Sequence, residues 1–180
     1  MRVIETTLAG VRLLEPTVFR DDRGFFLETW HADRFAAAGI PDLFVQDNYS
    51  RSALGTLRGL HWQWRKPQAK LVRVVSGSIF DVVVDVRRAS PSFGRWLGFE
   101  MSADRFTQLY VPVGFAHGFC ATSDVADVEY RCSAVYDPQG EAGLIWNDPG
   151  VGVDWPIRSP LLSPKDAAYQ RLSPDRPDLL

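Results

Sequence analysis

The sequence is poor in the residues that build disulfide frameworks and metal centres. It has two cysteines, Cys120 and Cys132, and three histidines among 180 residues. Neither cysteine lies in a CxxC pair, and two thiols cannot form the disulfide framework that stabilises small secreted domains. We therefore expect reduced thiols and a cytoplasmic protein.

Long apolar runs, a targeting segment and a strong net charge are also absent. No stretch of roughly 18 apolar residues is present to form a membrane-spanning helix, and the N-terminal residues MRVIETTLAG lack the pattern of a signal peptide. The formal net charge is only −2. This value argues against broad electrostatic binding to nucleic acid or to an anionic membrane, so we expect neither partner.

The chain instead contains many short runs that are rich in β-branched and aromatic residues and separated by Gly, Pro and Ser clusters. Strands are predicted at 11–14, 25–31, 57–64, 71–75, 79–86, 97–101, 108–111, 117–122 and 128–135. Short helices are predicted at 32–38 and from Ser163-Pro164, where Ser163 has the character of an N-cap. This pattern predicts an all-β sandwich or barrel with few helices.

A single domain over 1–180 is expected, with the barrel core at roughly 45–150, because the length suits one core and no linker is apparent. The C-terminal residues 171–180 are polar and Pro-rich, and we expect them to be loosely held. In the run 79–86, alternation predicts one core face and one mixed face toward the barrel interior. The core face comprises Phe80, Val82, Val84 and Val86, and the mixed face Ile79, Asp81, Val83 and Asp85.

The segment 56–70, TLRGLHWQWRKPQAK, concentrates ionisable side chains in a predicted buried strand. An isolated histidine among leucines and tryptophans is usually a core residue, and partial shielding from water favours a neutral proton acceptor. A hydrophobic core does not account for three ionisable side chains as close together as Arg58, His61 and Lys70, so the segment indicates a functional pocket. Strict alternation places Arg58 and His61 on opposite faces, and a bulge at Gly59 would bring both to one side.

A metal site is not expected, although part of the pattern is typical of metal-binding cupins. Residues 112–117 have the form PxGxxH, and the earlier strand carries His61-Trp62-Gln63. Gln63 stands where metal-binding cupins carry a second histidine, and the ammonium of Lys70 would repel a cation.

Further motifs recur in order along almost the whole chain. They are DRGFFLE at 22–28, QDNYS at 46–50, LRGLHWQ at 57–63, KLVRVVSGSIFDVVVDVRRASPSFGRW at 70–96, VPVGFAHGF at 111–119, EYRCSAVYDPQGE at 129–141, WNDP at 146–149 and LSPKDA at 162–167. With these motifs the chain resembles the dTDP-4-dehydrorhamnose 3,5-epimerase family of sugar-nucleotide epimerases. The resemblance implies a cupin-type double-stranded β-helix, that is, a jelly-roll barrel.

The resemblance also implies an activity that needs no cofactor. The substrate would be dTDP-4-dehydro-6-deoxy-D-glucose, epimerised at C3 and C5 by proton transfer through an enolate. By match to family motifs, His61 is the base and Asp166 the carboxylate that orients it. Tyr136 matches the acid on the far face, and Lys70 the cation beside the developing oxyanion.

Substrate-binding residues follow from the same resemblance. Arg23 and Arg58 resemble the diphosphate ligands, with His117 nearby, because a guanidinium can donate two hydrogen bonds to phosphate. The positions around the nucleoside match Phe26, Glu28, Gln46 and Asn48. In family members the strand with the Phe and Glu crosses to the neighbouring subunit, which implies a homodimer.

Three other functions stay open at this point. The nearest is an epimerase of the same family that acts only at C3 or only at C5, as in other deoxysugar pathways. A metal-dependent cupin with His61 and His117 as ligands is less well supported by the donor set. A catalytically silent sugar-nucleotide binder would keep the pocket without proton transfer.

Overall fold

The computed structural model describes residues 1–180 and consists mainly of short strands. The strands are β1 (Arg2–Glu5), β2 (Arg12–Glu15), β3 (Val18–Asp21), β4 (Gly24–Leu27), β5 (Gln46–Ala53), β6 (Leu57–Gln63), β7 (Lys70–Ser76), β8 (Ser78–Asp85), β9 (Trp96–Ser102), β10 (Gln108–Val111), β11 (Phe115–Ala121), β12 (Val125–Cys132) and β13 (Glu141–Gly143). Two short helices, α1 (Ala32–Ala37) and α2 (Pro164–Ala168), and a 3₁₀ turn (Ala103–Arg105) complete the fold. The predicted all-β class is confirmed.

Two antiparallel sheets face each other. The six-stranded sheet has the order β1-β2-β10-β7-β12-β5, and the five-stranded sheet has the order β13-β6-β11-β8-β9. Strands β3 and β4 pair only with each other, and they form a hairpin outside both sheets. Strands that alternate between two facing sheets in this way are typical of a jelly roll, as the resemblance implied.

The core has three layers of apolar side chains. The central layer lies between the sheets and includes Val72 and Val128 from one sheet and Val83 and Phe119 from the other. A second layer covers the outer face of the five-stranded sheet, and a third packs α1 on the outer face of the six-stranded sheet. Burial of both faces of the five-stranded sheet explains why β8 reads as a nearly continuous apolar run.

Both faces of β8 are buried. Val82 and Val84 lie in the outer layer as predicted core residues, whereas Ile79 and Val83 face the space between the sheets. Asp81, on that inner face, is fully buried. The prediction that this second face points toward the barrel interior is therefore confirmed.

The prediction of a loosely held C-terminal segment is wrong. Leu172, Leu179 and Leu180 pack against the outer layer of the five-stranded sheet. The indole Nε1 of Trp62 donates a hydrogen bond to the backbone oxygen of Asp178 at 2.7 Å. The prediction relied on the polar, Pro-rich composition and overlooked the leucines of the segment. Burial of these leucines on an apolar sheet face holds the segment in place.

Several element boundaries differ from the sequence-based expectation. The strand expected at 25–31 ends at Leu27, and four strands (β1, β3, β5 and β13) were not predicted. Strand β5, QDNYSRSA, is polar because it lies at a sheet edge with alternate side chains exposed.

The N-cap role of Ser163 is confirmed, since its side chain accepts a hydrogen bond from the backbone N of Asp166 at 3.1 Å. Neither helix has the length and apolar character required to cross a membrane.

Candidate active site

A cavity of about 710 Å³ opens between the two sheets beside α2. It brings together eight of the eleven predicted site residues, namely Gln46, Asn48, Arg58, His61, Lys70, His117, Tyr136 and Asp166. The elements that supply them are separated widely in sequence. The fold therefore concentrates ionisable groups from both halves of the chain in one cavity.

Strand β6 directs both Arg58 and His61 into the cavity because its register shifts by one residue. His61 pairs with His117 on β11, but Arg58 pairs with Phe119, so β6 holds one more residue than β11 between these pairs. Gly59 has a φ of +121°, and a Cβ there would lie 2.6 Å from the Cα of Gly118. The predicted irregularity at Gly59 is confirmed, and only glycine fits this close approach.

His61 and Asp166 form a hydrogen-bonded pair, with 2.5 Å between Nε2 of His61 and Oδ1 of Asp166. Asp166 is 3% exposed and lies in the first turn of α2. Burial is the largest single influence and disfavours its ionised form, but the hydrogen bonds from His61 and Ser163 and the charges of His61 and Lys165 together hold the pKa of Asp166 below its usual range. With the Nε2 proton committed to Asp166, Nδ1 of His61 is the ring nitrogen left to accept a proton.

Lys70 enters the cavity from β7 in the facing sheet. Desolvation lowers the pKa of Lys70, and the nearby Cys132, Asp81 and Glu141 oppose that shift. The eight-residue linker 62–69 thus carries the chain from His61 to Lys70 in the same cavity. An ammonium in such a water-poor position interacts strongly with any oxyanion that forms beside it.

Two tyrosines reach the cavity from different positions. Tyr136 lies on the loop between β12 and β13, is 45% exposed, and donates its hydroxyl hydrogen to Oε2 of Glu141 at 2.9 Å. This hydrogen bond raises the pKa of Tyr136. Tyr130 lies on β12, packs against the central core layer, and burial raises its pKa. Because β12 belongs to the sheet that faces β6, Tyr130 approaches the cavity from the side opposite His61.

Glu141 links the Tyr136 loop to α2. Its Oε1 accepts a hydrogen bond from Nζ of Lys165 at 2.7 Å, while its Oε2 accepts the one from Tyr136. Lys165 precedes Asp166 in α2, so Glu141 connects the rim of the cavity with the helix that holds the carboxylate partner of His61.

His117 is buried beside His61 on the neighbouring strand. Its Nε2 lies 2.8 and 3.0 Å from the two carboxylate oxygens of Asp81 on β8. Arg58 is anchored through Nε to Oγ of Ser52 at 3.0 Å, and through Nη2 to the backbone oxygen of Arg51 at 3.1 Å. These contacts fix the guanidinium at the cavity wall with donors left for a ligand.

Gln46 and Asn48 lie on the edge strand β5. Nε2 of Gln46 donates to Oδ1 of Asn48 at 3.0 Å, and Nδ2 of Asn48 donates to Sγ of Cys132 at 3.5 Å. Oε1 of Gln63 accepts a hydrogen bond from the backbone N of Asp137 at 3.1 Å. No group of three or more His, Cys, Asp or Glu side chains is arranged to hold a metal ion.

Three predicted binding residues do not reach the cavity of their own chain. Arg23, Phe26 and Glu28 lie on or beside the β3–β4 hairpin, which projects from the barrel as a separate ribbon. Phe26 is 69% exposed, and Arg23 pairs with Asp21 in solvent. The resemblance implied that the strand with Phe26 and Glu28 crosses to a neighbouring subunit, and that implication stays a prediction.

Residues that the sequence reasoning missed also line the cavity. They are Tyr130, Glu141, Lys165 and Cys132, together with Asp81 behind His117. Alternation along β12 could have identified Tyr130, because Ala126 and Val128 precede it at two-residue spacing on the buried face. Glu141 gave no local signal, since its role depends on contacts with distant Tyr136 and Lys165.

Comparisons with known proteins identify the family of the chain. The family model described as dTDP-4-dehydrorhamnose 3,5-epimerase matches residues 5–174. A Neisseria gonorrhoeae protein of that name is 52% identical over 93% of this chain, which spans about half (52%) of its length. A Shigella flexneri protein of the same name is 47% identical over 95% of this chain and 96% of its own.

A solved structure gives the same result. A Legionella pneumophila dTDP-6-deoxy-D-glucose-3,5-epimerase in complex with dTDP-4-keto-L-rhamnose superposes with a TM-score of 0.92 at 45% identity. The match covers 94% of this chain and 92% of the Legionella chain. The family match spans most of the sequence, and the fold and cavity fit it. This chain therefore belongs to the dTDP-4-dehydrorhamnose 3,5-epimerase family.

Proposed function

We propose that the protein converts dTDP-4-dehydro-6-deoxy-D-glucose into dTDP-4-dehydro-L-rhamnose by epimerisation at C3 and C5, without a cofactor. The observation that carries this proposal is the His61–Asp166 pair, which opens into a cavity that also holds Lys70 and a phenol from the facing sheet. A base, an oxyanion stabiliser and an opposed proton donor are the groups that such an epimerisation requires.

The C4 ketone of the substrate acidifies the hydrogens on C3 and C5. Nδ1 of His61 accepts one of these protons, and electrons move into the C4 carbonyl to give an enolate. The carboxylate of Asp166 stabilises the resulting imidazolium and holds the ring in one tautomer. Lys70 stabilises the negative charge that develops on the C4 oxygen.

Re-protonation from the opposite side of the sugar ring completes the inversion. The resemblance assigned this step to Tyr136, but the hydroxyl of Tyr136 already donates to Glu141 at the cavity rim. Tyr130 faces the cavity from the sheet opposite His61. We therefore favour Tyr130 as the proton donor, with Tyr136 as the alternative that substitution distinguishes.

The remaining side chains suit the nucleotide. The fixed guanidinium of Arg58 and the buried His117 are placed to bind the diphosphate. Gln46 and Asn48 line the side toward the nucleoside, and the exposed ring of Tyr136 beside Gln46 offers a stacking face for the base.

We further propose a cytoplasmic homodimer of single-domain chains, in which the β3–β4 hairpin of each protomer completes the cavity of its partner. The hairpin presents Phe19, Phe25 and Phe26 to solvent in the single chain, and exposed aromatic patches of this kind indicate an interface. This arrangement would supply Arg23, Phe26 and Glu28 to a ligand. The free thiols of Cys120 and Cys132 suit a reducing compartment.

A complementation experiment tests the shared site. Arg23→Glu and His61→Ala chains carry different tags and are co-expressed, and mixed dimers are purified through both tags. Each such dimer has one site with both residues intact, so about half of the wild-type activity per dimer is expected, although neither variant alone is active. Mixed dimers without activity would show that Arg23 and His61 act within one chain.

The reaction itself is tested by incubating the purified protein with dTDP-4-dehydro-6-deoxy-D-glucose and determining the product configuration by NMR. Inversion at both C3 and C5 is the expected result. A product inverted at only one of the two carbons would identify a single-site epimerase.

A further inference from the structure

The loop 133–140, which carries Tyr136 over the mouth of the cavity, has no regular secondary structure of its own. It joins β12 to β13, and its tip exposes Val135 and Tyr136. Such a loop is held in one conformation only if side chains elsewhere satisfy its backbone groups. The contacts of this loop therefore decide where the Tyr136 ring lies.

Two consecutive backbone N–H groups of the loop donate to glutamine side chains from the cavity wall. The N–H of Tyr136 donates to Oε1 of Gln46 at 2.8 Å, and the N–H of Asp137 donates to Oε1 of Gln63 at 3.1 Å. Gln63 is 5% exposed. The two bonds flank the Tyr136 α-carbon, so they fix the direction in which its side chain leaves the backbone.

The segment that follows Gln63 holds the rest of the loop. Gln68 donates through Nε2 to the backbone oxygen of Ala134 at 2.6 Å, and the N–H of Ala69 donates to Oγ of Ser133 at 2.8 Å. At the other end, Nη1 of Arg65 donates to Oε1 of Gln139 at 2.7 Å. The backbone N–H of Trp64 donates to the backbone oxygen of Gly140 at 2.9 Å.

These contacts give a role to Gln63, the last residue of the LRGLHWQ motif, and to residues 64–69, which lie between that motif and the next. We propose that residues 63–69 are a brace that positions the Tyr136 loop for nucleotide binding, with Gln63 as its central positioning residue. The brace acts through the loop backbone and does not touch the His61–Asp166 pair. Loss of the brace therefore weakens nucleotide binding more than it slows proton transfer.

The inference rests on the proposed function for the identity of the nucleotide, and dTDP alone is the probe. Gln63→Met keeps the length of the side chain but removes the carbonyl that accepts from Asp137. Gln63→Glu keeps an acceptor oxygen in the same place. Lys66→Met is the matched control, because Lys66 lies in the same segment but is exposed and makes none of the hydrogen bonds to the loop described above.

Three measurements are made on each variant: hydrogen–deuterium exchange of residues 133–140, calorimetric titration with dTDP, and kcat and KM for epimerisation. For Gln63→Met we expect about tenfold faster exchange of the Tyr136 and Asp137 amides, and dTDP binding weakened by about 3- to 30-fold. KM should rise while kcat stays within about threefold of wild type. Lys66→Met should match wild type within about twofold, and in Gln63→Glu the Asp137 amide should exchange more slowly than in Gln63→Met because an acceptor oxygen is retained.

Wild-type exchange and dTDP affinity in Gln63→Met would overturn the proposal. Equal damage in Lys66→Met would also overturn it, because the acceptor oxygen of Gln63 would then not be responsible. Should Gln63→Met fail to fold, Arg65→Met tests the other end of the brace by the same exchange measurement. A wild-type protein that binds dTDP without epimerising a sugar nucleotide would refute the proposed function and leave the brace intact.

Discussion

Nε2 of His61 lies 2.5 Å from Oδ1 of Asp166, although 105 residues separate the two in the chain. The pair joins a strand of the five-stranded sheet to a five-residue helix near the C-terminus. Folding alone brings these groups together, and the pair gives His61 a defined tautomer before any substrate arrives.

Substitution of His61 should separate chemistry from binding. His61→Ala removes the base, so proton exchange at C3 and C5 should fall by at least about 10²–10⁴-fold, while dTDP affinity stays near wild type. Asp166→Asn keeps the shape but removes the charge that stabilises the imidazolium, so it should lower kcat with little change in KM. Solvent exchange followed by NMR and calorimetry with dTDP measure the two effects. Unchanged exchange in His61→Ala would refute its assignment as the base.

The two tyrosines should respond differently to loss of the hydroxyl. Tyr130→Phe should lower kcat by about 10²–10⁴-fold and leave dTDP affinity unchanged, because the phenol is proposed to donate a proton. Tyr136→Phe keeps the aromatic ring and should retain most activity. Tyr136→Ala should weaken dTDP binding because the stacking face is lost. A large fall in kcat for Tyr136→Phe, with Tyr130→Phe near wild type, would restore Tyr136 as the acid.

Substitution of Lys70 by methionine should lower the activity and raise the stability of the protein. Lys70 is partly buried in the cavity wall, and burial lowers the pKa of Lys70. Lys70→Met should reduce kcat by about 10²–10³-fold, because the oxyanion loses its cation. The same variant should unfold at a higher temperature, by roughly 2–4 °C for each kcal/mol regained. Calorimetric melting together with steady-state kinetics measures both, and a lower Tm in Lys70→Met would contradict the account of its desolvation.

Asp166 should make stability depend on pH in the acid range. Its pKa is depressed in the folded protein, so the stabilisation is fully present above the unfolded value of about 3.9 and is lost as pH falls through the lower folded value. Asp166→Asn cannot titrate at this position. The free energy of unfolding, from urea titrations between about pH 5 and pH 3, should therefore fall less steeply in Asp166→Asn than in wild type. An equal pH dependence of the free energy of unfolding in wild type and Asp166→Asn would show that the pKa of Asp166 is the same in the folded and the unfolded protein.

Much of the fold was predictable because its signals are local. Alternating or continuous apolar runs gave the strands of both sheets, and Ser163 before Pro164 marked the start of α2. The polar strand β5 and the short strand β13 lacked such signals, because their place depends on pairing with β12 and β6. The ordered C-terminal segment was missed for a similar reason, since its leucines pack on a distant sheet face.

Those residues of the candidate site that lie within recognisable motifs could be predicted from the sequence. Strict alternation would place Arg58 and His61 on opposite faces of β6, so a shared pocket predicted an irregularity at Gly59, and the structure has one. The sequence around Glu141 did not indicate that its carboxylate accepts hydrogen bonds from both Tyr136 and Lys165. These contacts form only when the chain has folded. The hairpin residues Arg23 and Phe26 lie outside the cavity of their own chain, a placement that sequence spacing does not encode.

One cavity is proposed to serve proton transfer at both C3 and C5. Proton NMR of dTDP-4-dehydro-6-deoxy-D-glucose incubated with the protein in deuterium oxide tests it most directly. Deuterium is expected at both carbons in wild type and at neither in His61→Ala. Deuterium at only C3 or only C5 in the wild-type reaction would contradict it.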